Sequence, residues 1–355
     1  MEKAKKKPIL RWILLALLLI LAVLLLINRY TVRQVWCNIF APTLKLDDSA
    51  DWAGGKTYEH LAYAEDSDAQ YVDLYVPESD EPAPLFVLIH GGGFAFNDAQ
   101  SRQAQFMYRY FRDHGFACAS VNYRLSTEAA YPAATSDVKA AVRFLCQNAE
   151  EYGFDPERIA VWGESAGGYL ATMVALSAPE AFSDTLCIGE APEERFDMPS
   201  FDALVDYYGC IDFVTQRQNF AEEGLVSWIP TVANGWANEV LGDYGSLEEL
   251  WFRKNFPDWG EEETVEASPL HRAERQENGN PALRSLLVHG DADITVSHLQ
   301  SVELYEALKA NGEDVTLKLV PKCKHADDRL FTDELLAEVA DFLWASFESS
   351  KEAEA

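Results

Sequence analysis

Residues 158–177 read RIAVWGESAGGYLATMVALS, and this stretch decides the fold. Ile159-Ala160-Val161-Trp162 is a short apolar, partly β-branched run, the pattern of a buried strand. Gly168 to Ser177 carries an apolar face and reads as a helix. Ser165 therefore sits where a strand turns sharply into a helix, inside a G-x-S-x-G made of Gly163, Glu164, Ser165, Ala166 and Gly167. Glycine at 163 and 167 removes the Cβ atoms that would collide with neighbouring backbone in such a turn. The N–H of Ala166 then lies at a helix N-terminus, aimed at developing negative charge.

Leu85-Phe86-Val87-Leu88-Ile89 is a second buried-strand signal, and it runs into His90-Gly91-Gly92-Gly93-Phe94. Three successive glycines let backbone approach a ligand closely. The N–H groups of Gly92 and Gly93 are the natural donors to an oxyanion, with Ala166 as the third. Phe94 follows directly and is a candidate substrate contact. The two motifs supply a nucleophile and its oxyanion donors, the equipment for attack on a carbonyl group.

Serine needs a base, and the base needs an orienting acid; on a strand–turn–helix scaffold they follow the serine in the order acid, then histidine. The histidines after Ser165 are His271, His289, His298 and His325. Residues 284–288 read as a strand that opens into His289-Gly290-Asp291-Ala292-Asp293, where Asp291 and Asp293 compete as the acid. A helical pattern follows to about Ala310, and Val315 to Val320 alternates like a strand. His325 lies in the polar loop after it, 32 positions past Asp293. His298 is too near Asp293 in sequence to reach Ser165.

With these residues in view, the chain resembles α/β-hydrolase esterases of the hormone-sensitive-lipase-like group and the similar BD-FAE-like carboxylesterases. The resemblance rests on HGGGF and GESAGG. It also rests on Tyr123-Arg124-Leu125-Ser126, on Tyr131-Pro132-Ala133, and on Asp137 to Ala141. Asp155 to Ala160, Ala267-Ser268-Pro269-Leu270 and His289 to Val296 match as well. It covers roughly residues 55–347 and implies that Asp293 is the acid of a Ser165–Asp293–His325 triad. It implies a small-molecule or carbohydrate ester as substrate, acetyl or feruloyl esters included, and a mechanism that needs no metal or organic cofactor. Asp137 and Tyr123 are expected to hold the loops around the site. Two stretches depart from the family pattern. The histidine loop, Lys322-Cys323-Lys324-His325-Ala326, lacks the glycine usual beside the histidine, and residues 217–266 match poorly.

Strand and helix signals alternate from about residue 57 to the end, so one α/β domain with a mostly parallel sheet covered on both faces is expected at 56–347. Residues 57–76 read as an antiparallel hairpin at its start. Residues 217–266 would form a small cap insertion. They hold Trp228, Trp236, Trp251 and Trp259, four of the nine tryptophans. Trp228 and Trp236 are candidate substrate contacts, set against the plainer reading that these aromatics form the cap's own core. A helix from about Asp333 to Phe347 precedes a disordered acidic tail at 348–355.

Trp12 to Ile27 is an unbroken apolar run. With Ile9, Leu10 and a snorkelling Arg11 it makes a helix of about 28 Å, nearly a bilayer's hydrocarbon thickness. No small-x-small cleavage site follows it, so a transmembrane anchor at 9–27 is expected rather than a cleaved secretion signal. Residues 1–8 form a basic segment and 28–55 a linker. Five basic residues precede the run and Arg29 and Arg33 follow it, which places the N-terminus in the cytoplasm and the catalytic domain outside. Residues 1–33 carry a net charge of +6 within a chain of −29. The remainder is strongly acidic, which excludes nucleic-acid binding by general electrostatics. Cys118 and Cys146 read as core residues, and Cys187 with Cys210 is the candidate disulfide. A peptidase on the same fold and a catalytically silent scaffold are the competing functions. The first lacks room for an extra propeller domain, and the second has no use for a complete triad.

Overall fold

The computed structural model describes residues 54–222, 246–254, 258–277 and 279–354. The apolar N-terminal run, most of the linker, Trp228 and Trp236 lie outside them. Among the described residues no helix is long and apolar enough to cross a membrane.

Eight strands form one sheet: β1 Gly55–Ala62, β2 Tyr71–Pro77, β3 Ala83–Ile89, β4 Ala117–Val121, β5 Phe154–Glu164, β6 Ala203–Tyr207, β7 Arg284–Gly290 and β8 Asp314–Val320. Their spatial order is β1-β2-β4-β3-β5-β6-β7-β8. The hairpin β1–β2 and the β2–β4 pair are antiparallel, and every later pair is parallel. The helices are α1 Arg102–Arg112, α2 Ala133–Gln147, α3 Ala149–Tyr152, α4 Ala166–Leu176, α5 Phe213–Glu222, α6 Leu247–Phe252, α7 Glu261–Glu266, α8 Pro269–Arg275, α9 Leu299–Ala310 and α10 Asp333–Glu354.

Side chains alternate across a strand, and here both faces are buried. Leu85, Val87, Ile89, Leu204 and Leu287 pack on one face with α2, α4 and α9. Phe86, Leu88, Trp162, Val205 and Val288 pack on the other with α1 and α10. That explains why the strands read as continuous apolar runs. Because β3, β5, β6, β7 and β8 are mutually parallel neighbours, the loops after them open at one edge of the sheet. Ser165, the glycine loop, Asp293 and His325 all lie on those loops.

Three expectations are corrected. The last helix does not stop at Phe347 but runs to Glu354, into the stretch read as a disordered tail. Cys187 and Cys210 are both buried in the apolar core, and neither is disulfide-bonded. The aromatic residues of the insertion that are described do not form a core of their own. Trp251 is fully buried and joins the main core through Phe94, Tyr131 and Tyr169.

Candidate active site

Ser165 is the N-cap of α4 and holds φ 55°, ψ −118°, a left-handed conformation costly for any residue but glycine. The backbone around it is over-determined. Ser165 N–H donates to Tyr207 C=O at 2.9 Å, tying the turn to the end of β6. A Cβ on Gly163 would stand 2.0 Å from Gly167 O, and one on Gly167 would stand 2.1 Å from Ile89 O. Neither glycine has a positive φ, so both are required for space alone.

His325 Nε2 lies 2.9 Å from Ser165 Oγ, and His325 Nδ1 lies 2.6 Å from Asp293 Oδ2. The carboxylate can only accept, so the imidazole carries its proton on Nδ1 and offers Nε2 to the serine hydroxyl. Asp293 is fully buried, and its second oxygen accepts the N–H groups of Thr295 and Val296 at 2.7 and 3.0 Å. Burial alone would raise its pKa. The facing His325, and hydrogen bonds from His289 and His325, outweigh burial and hold it well below the usual carboxylate range. Burial would lower the pKa of His325, but Asp293 and Glu164 outweigh it and raise it. Asp291 does not face the histidine. Its carboxylate accepts Lys322 N–H at 2.5 Å and pins the histidine loop instead.

That loop achieves without glycine what glycine would make easy. Lys322 and Ala326 take positive φ values of 61° and 51° on either side of His325. Cys323 C=O accepts Ala292 N–H, Arg329 donates to Lys322 C=O, and Asp327 accepts Lys324 N–H. The polar lacing stands in for conformational freedom.

The glycine loop bends back through Gly92 and Gly93, with φ 113° and 58°, into Phe94 at φ 61°. Gly92 C=O accepts the N–H groups of Ala95 and Phe96. The N–H groups of Gly92, Gly93 and Ala166 take no backbone partner among the described residues. His90 stacks on Tyr123 with centroids 4.3 Å apart, and Tyr123 Oη donates to His90 C=O at 2.8 Å. Burial pushes the His90 pKa down to about 4, so the ring is neutral and structural. Asp137 holds Arg124, Gln70 and Thr185, fixing the loop after β4.

Three residues have roles at the site that the sequence pattern does not reveal. Glu164 Oε1 accepts Gly91 N–H at 2.8 Å, so the residue before the serine holds the first glycine of the other motif. Burial pushes its pKa up to about 7 against the pull of that bond and of His325. Tyr208, also at positive φ, sets its ring edge-on to His325 with centroids 4.8 Å apart. His289 Nε2 lies 3.3 Å from Asp293 Oδ2 and 3.2 Å from Val296 O. Only a hydrophobic strand end preceded each of them, and that gives no hint of polar contact. Phe94, expected to touch substrate, is 3% exposed, and its ring stacks on Trp251 at 4.2 Å. Its side chain is committed to packing. Trp228 and Trp236 lie outside the described residues.

The BD-FAE family model matches residues 72–308, well over half of the chain. The chain belongs to the BD-FAE family. Esterase LipQ of Mycobacterium tuberculosis is 28% identical over 267 residues, which is 74% of this chain and 55% of LipQ. The chain thus spans about half the length of that relative. The ethyl acetate hydrolase of Pseudomonas putida is 36% identical over 107 residues, 29% of this chain and 33% of its own. A solved structure described as a truncated form of carbohydrate esterase from gut microbiota is 25% identical with a TM-score of 0.65. That likeness covers 82% of this chain and 96% of the other. In this BD-FAE member the assembled groups are a hydroxyl, a base with its orienting carboxylate, and a set of backbone donors, the parts that acyl transfer requires.

Proposed function

We propose that this protein is a serine carboxylic-ester hydrolase acting on small or carbohydrate-linked esters. The observation that carries the reading is the unbroken line Asp293–His325–Ser165, at 2.6 and 2.9 Å, beside the N–H groups of Gly92, Gly93 and Ala166, which take no backbone partner among the described residues. Ser165 Oγ attacks the ester carbonyl carbon while His325 Nε2 takes the hydroxyl proton. Asp293 holds the imidazole in the required tautomer and stabilises its charged form. Gly92, Gly93 and Ala166 donate to the oxyanion of the tetrahedral intermediate. The intermediate collapses, the C–O bond to the alcohol breaks, and His325 returns its proton to the leaving oxygen. Water then attacks the acyl-enzyme, with His325 again taking and returning a proton.

Names among the relatives support the ester class. They include an ethyl acetate hydrolase and a carbohydrate esterase. A panel of acetyl, butyryl, octanoyl and feruloyl esters and acetylated xylan tests it. Fastest turnover on acetyl or feruloyl esters supports the reading, and a preference for octanoyl esters contradicts it.

The same proposal tethers the enzyme to a membrane through residues 9–27, with the catalytic domain outside the cytoplasm. Its support is the apolar run and the excess of lysine and arginine before it. Retention in membranes through alkaline carbonate washing, with the domain open to protease added outside, is the expected result. Release into the wash refutes the tether.

A further inference from the structure

Oδ1 of Asp293 is aimed by backbone of the strap Thr295, Val296 and Ser297, along which each of the following inward-facing polar groups is committed. The N–H groups of Thr295 and Val296 go to Asp293 Oδ1. Val296 C=O faces His289 Nε2 at 3.2 Å. The two that remain, Thr295 C=O and Ser297 N–H, both go to one side chain: Gln216 donates through Nε2 to the first and accepts through Oε1 from the second, each at 3.1 Å. A primary amide is the side-chain type that offers a donor and an acceptor side by side, as this strap requires. Gln216 is 6% exposed and sits on α5.

The helix that carries it is itself anchored from several directions. Asp212 Oδ1 accepts the N–H groups of Val214 and Thr215 at the start of α5, and Asp212 Oδ2 accepts Ser268 Oγ at 2.6 Å. Ser268 caps α8, so one carboxylate joins the two ends of the insertion. Gln300 on α9 accepts Asp212 N–H and donates to Thr215 Oγ1. The path from the insertion's ends to the acid is therefore Ser268, Asp212, α5, Gln216, the 295–297 strap and Asp293.

We infer that Gln216 is a positioning residue for the Asp293–His325 pair, acting through the backbone of residues 295–297. Without its amide, the N–H of the fully buried Ser297 is left unpaired and Thr295 C=O loses its protein partner, and the strap moves to find new partners. The N–H groups that aim Asp293 move with it. Displacement of an orienting group by a fraction of an ångström acts on turnover more than on binding.

The inference rests on the hydrolase reading above. Gln216→Met keeps the length of the side chain and removes both polar contacts. In the full chain, kcat on p-nitrophenyl acetate falls about tenfold with KM within about twofold. The far-downfield proton resonance of the His325–Asp293 hydrogen bond moves to a new shift and stays sharp, whereas general loosening of the fold would broaden it in place. Gln216→Glu keeps the acceptor for Ser297 N–H and loses the donor to Thr295; it gives a smaller loss in the same direction and serves if the Met variant fails to fold. Wild-type kcat and an unmoved resonance in the folded variant overturn the inference. The hydrolase reading fails separately, if Ser165→Ala retains turnover.

Discussion

Replacing Glu164 by glutamine tests the electrostatics of the site and its stability at once. The carboxyl is buried, and burial pushes its pKa from an ordinary 4.5 to about 7. The folded state therefore favours the neutral form. The stability gained by holding that proton is complete below the unfolded value and is lost as pH rises through about 7. A shift of this size corresponds to about 3 kcal/mol of stability across the window. Glutamine keeps the length and an acceptor for Gly91 N–H but never ionises. Relative to wild type, Glu164→Gln should gain stability steadily with pH, by about 2 kcal/mol between about pH 5.5 and 8.5. Urea denaturation of both proteins at several pH values measures this, and any fixed cost of the amide drops out of the slope. Activity should move too. The Glu164 charge helps to raise the pKa of His325, which is also faced by Asp293 and by the Tyr208 ring. Its removal shifts the acid limb of kcat/KM toward lower pH. Parallel stability curves, or an unmoved acid limb, would refute the reasoning.

Four other substitutions probe the elbow, a helix C-cap remote from the site, the acid and the histidine loop. Gly167→Ala places a methyl 2.1 Å from Ile89 O and 2.6 Å from His90 O, backbone atoms that cannot swing away. It should destabilise the fold by about 2–3 kcal/mol and lower kcat about a hundredfold as the glycine loop is displaced. Gly153→Ala, at φ 90° with open space around it, should cost only about 1 kcal/mol in the same urea titration. Asp293→Asn keeps an acceptor for Thr295 and Val296 but favours the wrong imidazole tautomer, so kcat should fall about 10⁴-fold with the melting temperature little changed. Ala326→Gly relieves a left-handed alanine at φ 51° and should stabilise the protein by about 0.5–1 kcal/mol in thermal unfolding, with activity retained.

The parallel sheet was legible because each of its buried strands is an apolar run closed by glycine or polar residues, and Ser165 and the glycine loop stand at two such ends. The family pattern separated Asp293 from Asp291. Spacing alone could not, since the two are two residues apart and lie on the same loop, one reaching His325 and the other Lys322 N–H. Contacts between distant segments were not legible. Nothing local marks Gln216 as the partner of a strap some 80 residues away, or Glu164 as the acceptor for Gly91. The helix beyond Phe347 was missed because Glu348 to Glu354 is polar, which masks a segment rich in good helix formers that continues an existing helix. The packing of Phe94 on Trp251 was equally hidden, since a residue beside an oxyanion loop can face substrate or core and Trp251 lies far away in the chain.

The central claim is that Ser165, activated by His325, is the nucleophile. Reaction of the full chain with a fluorophosphonate, followed by intact mass and peptide mapping, tests it most directly. The account predicts one adduct per chain, on Ser165, formed in step with loss of p-nitrophenyl acetate turnover and absent from a folded Ser165→Ala variant. An adduct on another residue, or undiminished turnover by that variant, would contradict it.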